Sequence, residues 1–369
     1  MFVVGETTLE INLSALKNNF DILRAKINKN TMMLAVVKAF AYGSDAVKIA
    51  QFLEGLGVNY FAVAYINEGV LLRKAGIKTP ILVLHPQPVN FGLLLKFNLE
   101  PSLYSFNTLN AFIKVVNANS KENFPVHIKF NTGLNRLGFS QQQIKDVVDI
   151  INSNRSVHVK SVFSHLAASE DEKERDFSLN QIKHFHDITE AFQSLCGYSF
   201  IRHLCNTSGV INFPEAQFDM VRCGIGIYGF NNMKNNNHKF IPVAALKTII
   251  SQIHTIEKGQ SVGYNRAFIA EHDKKIATLP IGHADGIGRH YGNGVGAVHI
   301  QGQRASIVGN VCMDMIMVDI SEIDCKEGDE VVLFDKIATA EEFAMNGNTI
   351  SYELLTGISQ RVKRVFISE

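Results

Sequence analysis

The chain has 369 residues, of which 46% are apolar and 19% charged, with a formal net charge of +1. That is enough core material for one large domain and a smaller one, and the charge balance speaks against nucleic acid or an acidic membrane surface as a partner. No apolar run approaches the roughly 18 residues of a membrane span, and the first residues, Met1-Phe-Val-Val-Gly-Glu-Thr7, lack the charged start and long apolar core of a signal peptide. The five cysteines (Cys196, Cys205, Cys223, Cys312, Cys325) are odd in number and show no Cys-x-x-Cys spacing. They point to reduced thiols in the cytoplasm, with neither a disulfide framework nor a metal site.

From about residue 9 to 230, apolar runs alternate with amphipathic segments. The runs are Leu34–Lys38, Phe61–Tyr65, Ile81–His85, Pro101–Tyr104, Val126–Phe130, Val159–His165, Ile201–Asn206 and Met220–Ile225. Continuous apolarity marks strands covered on both faces, as in a parallel sheet. Between them, Ser44 is placed to cap a helix carrying Val47, Ala50 and Leu53, and Asn67 to cap another that stops at Gly76. Ser140 with Gln143 forms a capping box ahead of Ile144, Val147, Val148 and Ile151. The charged stretch Ser169–Asp176 reads as a solvated helix start with acids near its positive end.

The count and spacing of these runs predict an α/β fold, a (β/α)8 TIM-type barrel. A doubly wound open sheet has the same periodicity. The barrel is favoured because Lys38, His85, His165, Asn206 and Arg222 fall at or near the carboxyl ends of the runs, the face where barrel enzymes carry their chemistry. Asn231–His238 is polar and asparagine-rich and reads as a linker. Beyond it, short apolar runs with glycine-rich turns recur at Ala244–Ile253, Lys275–Ile281, Val295–Ile300, Arg304–Val308, Val311–Ile320 and Glu330–Phe334, the pattern of a mostly-β domain. A helical segment near Ser351–Ser359 and a run at Val362–Ile367 follow, with Arg361-Val-Lys-Arg364 read as a solvated helix face. The expected division is a barrel over residues 9–235 and a β-domain over 236–369, with residues 1–8 free to pack against the latter.

Gly224-Ile-Gly-Ile-Tyr-Gly229 matches G-x-G-x-x-G, but the polar linker follows it in place of a helix and no acid appears until Glu257, so a dinucleotide site is rejected. Loops after the last two barrel strands are the usual phosphate cradle of the fold, here Asn206-Thr-Ser208 and Gly224-Ile225. Lys38, at the end of a buried run, needs an ion pair, a route to solvent or a covalent bond through its nitrogen.

Its neighbourhood, Val37-Lys-Ala-Phe-Ala-Tyr-Gly43, resembles the pyridoxal-phosphate lysine motif of the alanine racemases. The likeness continues in order along the chain. Ile128–Phe139 resembles the segment whose arginine, here Arg136, contacts the substrate carboxylate, and whose lysine, here Lys129, is carbamylated in many members. Ser164-His-Leu166 and Met220–Gly229 resemble the segments that supply a histidine–arginine pair, here His165 and Arg222. Ser261–Arg266 is similar to the segment of the second catalytic base, here Tyr264. Val311–Met315 is similar to the substrate-contacting stretch, here Met313 and Asp314, and Ile350–Glu353 to the one that places a second phosphate-binding tyrosine, here Tyr352 beside Tyr42.

The resemblance implies pyridoxal 5'-phosphate bonded to Lys38, with its phosphate held by Tyr42, Tyr352, Asn206, Thr207, Gly224 and Ile225 and its ring nitrogen faced by Arg222. It implies racemisation of alanine by two bases on opposite faces of Cα, Lys38 for the D-enantiomer and Tyr264 for the L-enantiomer, supplying D-alanine for peptidoglycan. It also implies a homodimer in which Tyr264 reaches the other subunit's cofactor. Both reference pKa values lie near 10, so both groups need their environment to act as bases near neutrality.

Taken singly, each residue has a plainer reading: His165 a satisfied core histidine, Arg222 an ion-pair arginine, Tyr264 a strand tyrosine, Met313 core and Asp314 a turn acid. Their joint occurrence in order outweighs these. A broad-range amino-acid racemase and a catalytically silent cofactor-binding module stay open, while a decarboxylase on the same plan is disfavoured by Tyr264 and Arg222. The chain departs from the family pattern at Phe40, at Ser44-Asp45, at Asn131 and at His283, which stands where a tyrosine usually guards the mouth of the site. The Phe40–Ser44 variant is similar to racemase segments fused to a peptidoglycan ligase in some bacteria.

Overall fold

The structure, a computed structural model, describes residues 6–231 and 240–368. Eight parallel strands close into a barrel: β2 (Met32–Val36), β3 (Tyr60–Val63), β4 (Ile81–Val83), β5 (Glu100–Leu103), β6 (Phe124–Lys129), β7 (Val157–Phe163), β8 (Ile201–His203) and β9 (Met220–Cys223). The barrel shuts where β9 lies parallel to β2, with Met220 opposite Met32 and Arg222 opposite Leu34. Each run read as a strand is one, because residues covered on both faces by barrel interior and outer helices are mostly apolar, with Glu100, His127, Ser161, His203 and Arg222 as buried polar exceptions. Two of the ladders stop short of their polar residues: β2 ends at Val36 ahead of Lys38, and β8 at His203 ahead of Asn206. Lys129 and Arg222 stand on β6 and β9 themselves, so the site is built from strand ends and the loops that follow them.

Outer helices bury the expected stripes: Ile144–Asn152 buries Ile144, Val147, Val148 and Ile151 behind the Ser140–Gln143 capping box. Two caps differ from expectation. Asp45, one residue past Ser44, accepts the Lys48 N–H at 3.0 Å. Tyr65 precedes the helix Ile66–Lys74, and Glu68 accepts its N–H at 3.0 Å. Asn67 is therefore inside that helix, because the chain turns helical as soon as it leaves the loop after β3.

Outside the barrel, β1 (Thr7–Asn12) comes first in the chain. The strands after the barrel are β10 (Ala244–Ile249), β11 (Gln252–Ile256), β12 (Ser261–Val262), β13 (Phe268–Ile269), β14 (Lys274–Leu279), β15 (Ala297–Ile300), β16 (Gln303–Val308), β17 (Ile316–Asp319), β18 (Glu330–Phe334) and β19 (Lys363–Ile367). They form a nine-stranded sheet in the order β11-β14-β17-β16-β15-β18-β10-β1-β19, with β12 and β13 paired apart. β1 runs antiparallel to β10 and parallel to β19, so the two ends of the chain meet in one sheet. Apart from Asn231, the expected linker lies outside the described residues.

Arg361-Val-Lys-Arg364 is not a solvated helix face. Arg361 grips Asp285 at 2.7 Å and Asp314 at 2.6 Å. Arg364 donates to the carbonyls of Gly43 at 2.8 Å and Ile358 at 2.9 Å. The misreading has a plain cause: Asp285, Asp314 and Gly43 are remote in sequence.

Candidate active site

The loops at the carboxyl ends of the barrel strands enclose a cavity of about 650 Å³. Lys38, Tyr42, Lys129, Arg136, His165, Asn206, Thr207, Arg222, Gly224 and Ile225 all line it, joined by Tyr352 from the helix Ser351–Gly357. Tyr264, His283, Met313 and Asp314 do not. Tyr264 and Met313 are 69% and 60% exposed, His283 is exposed, and Asp314 is held by Arg361.

Lys38 follows β2 and opens a turn in which Ala39, Phe40, Ala41 and Tyr42 are all left-handed, with φ of 51°, 55°, 54° and 55°. For L-residues this costs roughly 1–2 kcal/mol each, so the surroundings must impose it. Glu68 grips one end, accepting the N–H of Ala39 at 2.7 Å with one oxygen and that of Ala64 at 2.7 Å with the other. Arg364 holds the other end through the Gly43 and Ser44 carbonyls. The turn brings Lys38 and Tyr42 to one cavity. Burial, then the Arg136 charge, pulls the Lys38 amine below its ordinary range against the pull of Glu68, which favours the neutral, nucleophilic form.

Nothing in the sequence singles out Tyr228, the tyrosine of the glycine-rich run. Its ring packs on Tyr42 at 4.5 Å and its hydroxyl donates to the Val36 carbonyl at 3.0 Å. Burial pushes both phenols up, so each remains a neutral donor. A side chain at Gly224 would put its first carbon 2.5 Å from the Tyr42 hydroxyl; only glycine leaves that space. Thr207 Oγ1 ties the loops together, accepting the N–H groups of Gly224 at 3.2 Å and Gly226 at 3.3 Å. Asn206 Oδ1 is engaged by Gly209 N–H at 2.9 Å and by the Ser169 hydroxyl at 2.8 Å, so Asn206 shapes this end of the cavity.

Arg222, also in the lining, is buried. Its Nη1 donates to His203 Nδ1 at 2.8 Å, and its Nη2 to the Ser164 carbonyl at 2.6 Å and to His165 Nδ1 at 3.1 Å. Its Nε–H has no acceptor among the described residues. Burial, followed by the Arg222 charge, holds His165 well below the ordinary imidazole range; it is neutral and accepts from Arg222. Lys129, buried at the end of β6, is brought down to about 8 by burial and then by Arg136, Arg222 and Lys38. Asn131 organises the Arg136 loop, its Oδ1 accepting the N–H groups of Gly133 at 3.1 Å and Asn135 at 3.0 Å.

Lys38, Lys129, Arg136 and Arg222 therefore share a cavity with no carboxylate among the described residues that line it. Such a lining is an anion receptor. It suits a phosphate near Tyr42, a carboxylate near Arg136, an aldehyde within reach of a depressed lysine, and a ring nitrogen for the Arg222 Nε–H, which has no acceptor among the described residues. The residues present fit pyridoxal phosphate. Among the described residues no group of His, Cys, Asp and Glu is placed to hold a metal.

Comparison with known proteins agrees. The family model described as alanine racemase, N-terminal domain, matches residues 11–232, and the one described as alanine racemase, C-terminal domain, matches residues 243–366. An alanine racemase of Halothermothrix orenii is 36% identical over 378 residues, covering 99% of this chain and 97% of the relative. The solved alanine racemase of Clostridium difficile superposes with a TM-score of 0.94 at 31% identity, covering 100% of this chain and 97% of that one. That of Bartonella henselae, solved with covalently bound pyridoxal phosphate, gives 0.89 at 28% identity, covering 98% and 100%. The chain belongs to the alanine racemase family.

Proposed function

We propose that Lys38 and Tyr264 are the two bases of this pyridoxal-phosphate-dependent alanine racemase, which converts L-alanine to D-alanine for peptidoglycan. The observation that carries the reading is the acid-free cavity in which the Lys38 amine is pulled below its ordinary range. Lys38 would bond the cofactor; Tyr42, Tyr352, Thr207, Gly224 and Ile225 would hold its phosphate, with Asn206 shaping the loop. Bound there, pyridoxal phosphate supplies a conjugated ring that spreads the electron pair left on Cα. Arg222 would face the ring nitrogen through Nε–H. As a guanidinium it keeps its proton, which leaves that nitrogen unprotonated, limits the spreading, and so disfavours side reactions such as transamination.

Arg136 would fix the substrate carboxylate and set Cα between the bases. Lys38 would take the proton of D-alanine, and Tyr264 that of L-alanine. Lys129, at about 8, is suited to adding carbon dioxide through its neutral amine with release of a proton, and the carbamate would face Arg136. Tyr264, Met313, Asp314 and His283 lie outside the cavity of their own chain. They cluster where Asn310 Nδ2 donates to the Tyr264 carbonyl at 3.0 Å and His283 N–H to the Cys312 carbonyl at 2.9 Å. A second copy presenting this surface would bring the second base, the substrate contacts and a gate at His283, so a homodimer with two shared sites is part of the proposal.

No helix among the described residues is long and apolar enough to cross a membrane. The cytoplasm is proposed on the five unpaired cysteines. Chiral analysis after incubating the cofactor-loaded protein with L-alanine, L-serine or L-lysine tests the substrate. D-alanine with little turnover of the others is expected; equal turnover of all three would make it a broad-range racemase. Tyr264→Phe should abolish racemisation while the cofactor stays bound, and undiminished activity in that variant would overturn the two-base assignment.

A further inference from the structure

A single file of polar side chains crosses the barrel interior beneath the cavity. It starts where Arg222 Nη1 meets Nδ1 of His203 at 2.8 Å. His203 Nε2 meets the Ser161 hydroxyl at 2.8 Å, and that hydroxyl meets His127 Nδ1 at 2.5 Å. His127 Nε2 then reaches Glu100 Oε2 at 2.7 Å, which also accepts from the Tyr60 hydroxyl at 3.2 Å. The residues stand on β9, β8, β7, β6 and β5, one per consecutive strand, and all five are buried.

Hydrogen-bond accounting fixes the direction of every link. A guanidinium only donates, so His203 Nδ1 must accept. Burial and then the Arg222 charge keep His203 well below the ordinary imidazole range; it is neutral, and its proton sits on Nε2 and goes to Ser161. The hydroxyl's single proton is left for His127 Nδ1, and His127 Nε2–H goes to Glu100. A cationic His127 would point a second proton at Ser161 and strand the hydroxyl proton in a buried site. The neutral arrangement pairs all four ring nitrogens and the hydroxyl between them, with a cation at one end and a carboxyl at the other. Chains polarised in one sense strengthen each link. No acid is among the described residues that line the cavity, and Glu100, reached through this file, is the carboxyl to which Arg222 is wired.

We propose that His203, Ser161, His127 and Glu100 are positioning residues of the racemase, a polarised relay that holds Arg222 charged and aims its Nε–H at the cofactor ring. The proposal rests on the assignment of Arg222 to that ring.

Nitrogen-15 NMR of histidine-labelled protein without cofactor reads the relay directly: His127 and His203 should both be neutral Nε2–H tautomers, and a proton on Nδ1 of either would overturn the proposal. In the loaded enzyme, Ser161→Ala cuts the file without changing charge and Glu100→Gln neutralises its end. Each should lower kcat roughly tenfold, the scale of losing an outer partner of a reactive group, with KM for alanine and cofactor content unchanged, and Ser161→Thr should restore kcat. Folded Ser161→Ala and Glu100→Gln proteins with wild-type kcat would overturn it as well. If either variant fails to fold, the wild-type tautomers still decide. Wild-type protein that shows the expected tautomers yet does not racemise alanine would overturn the reading of the site, and with it the relay's role in the racemase, while the hydrogen-bonded file itself remains.

Discussion

Lys129 is a buried cation among cations, and this gives its protonation a definite sign in stability. Its folded value of about 8 lies below the ordinary 10.5, so between those values the unfolded chain holds a proton that the folded one has released. Stability should therefore rise with pH across that window, and the penalty is fully present below about 8. Lys129→Met removes the penalty. In urea unfolding without carbon dioxide, the variant is expected to be more stable than wild type at pH 7, with the gap closing as the pH rises from about 8 toward 10.5. A gap that widened over that window would show that Lys129 is not held against its charge. Wild type should gain stability at pH 8 on addition of bicarbonate and the variant should not, because only a neutral amine next to Arg136 has a carbamate to form.

The left-handed turn after β2 is the element on which the site depends. At its end Gly43 has φ of +82°, and a side chain there would sit 1.9 Å from the Leu355 carbonyl oxygen. Gly43→Ala should cost at least about 1 kcal/mol and, because the turn carries Lys38 and Tyr42, should lower cofactor retention; thermal melting with and without pyridoxal phosphate measures both. Glu68→Gln keeps the shape but puts a donor where two N–H groups need acceptors. It should slow cofactor bonding with little change in Tm, and unchanged bonding kinetics would show that the turn holds itself. None of this turn was legible in advance, since Ala39, Phe40 and Ala41 carry no glycine signal and the clamps Glu68 and Arg364 come from other elements. The barrel strands were legible because a strand covered on both faces is written as a mostly apolar run. Asp45 and Tyr65 were missed as caps because which polar residue turns inward depends on the loop before it. The residues that line the cavity could be named from motifs, whereas the relay to Glu100 could not: His127, Ser161 and His203 lie inside runs that read as apolar strands, and only the closed barrel sets them side by side.

Across the whole molecule the chain doubles back on its own beginning. β1 lies between β10 and β19, and the segment before and into β19 supplies Tyr352, Arg361 and Arg364 to features built by residues far earlier. The Lys38 turn is clamped at both ends only when that late segment has docked, so a loaded site reports complete folding. What the single chain does not do is bring Tyr264, 69% exposed, into its own cavity. This leads to a test that needs no structure of an assembly. Lys38→Ala and Tyr264→Phe should each be inactive alone. In a homodimer with shared sites, unfolding, mixing and refolding the two together gives mixed dimers in which one site pairs an intact Lys38 with an intact Tyr264 from the other copy. Random pairing makes half of the dimers mixed and one site in two of those whole, so about a quarter of wild-type activity should return. The recovered activity should fall on dilution as the copies separate. A mixture as inactive as its components would mean that each chain supplies both bases itself, and that the exposed tyrosine reaches the cavity by a movement within one copy.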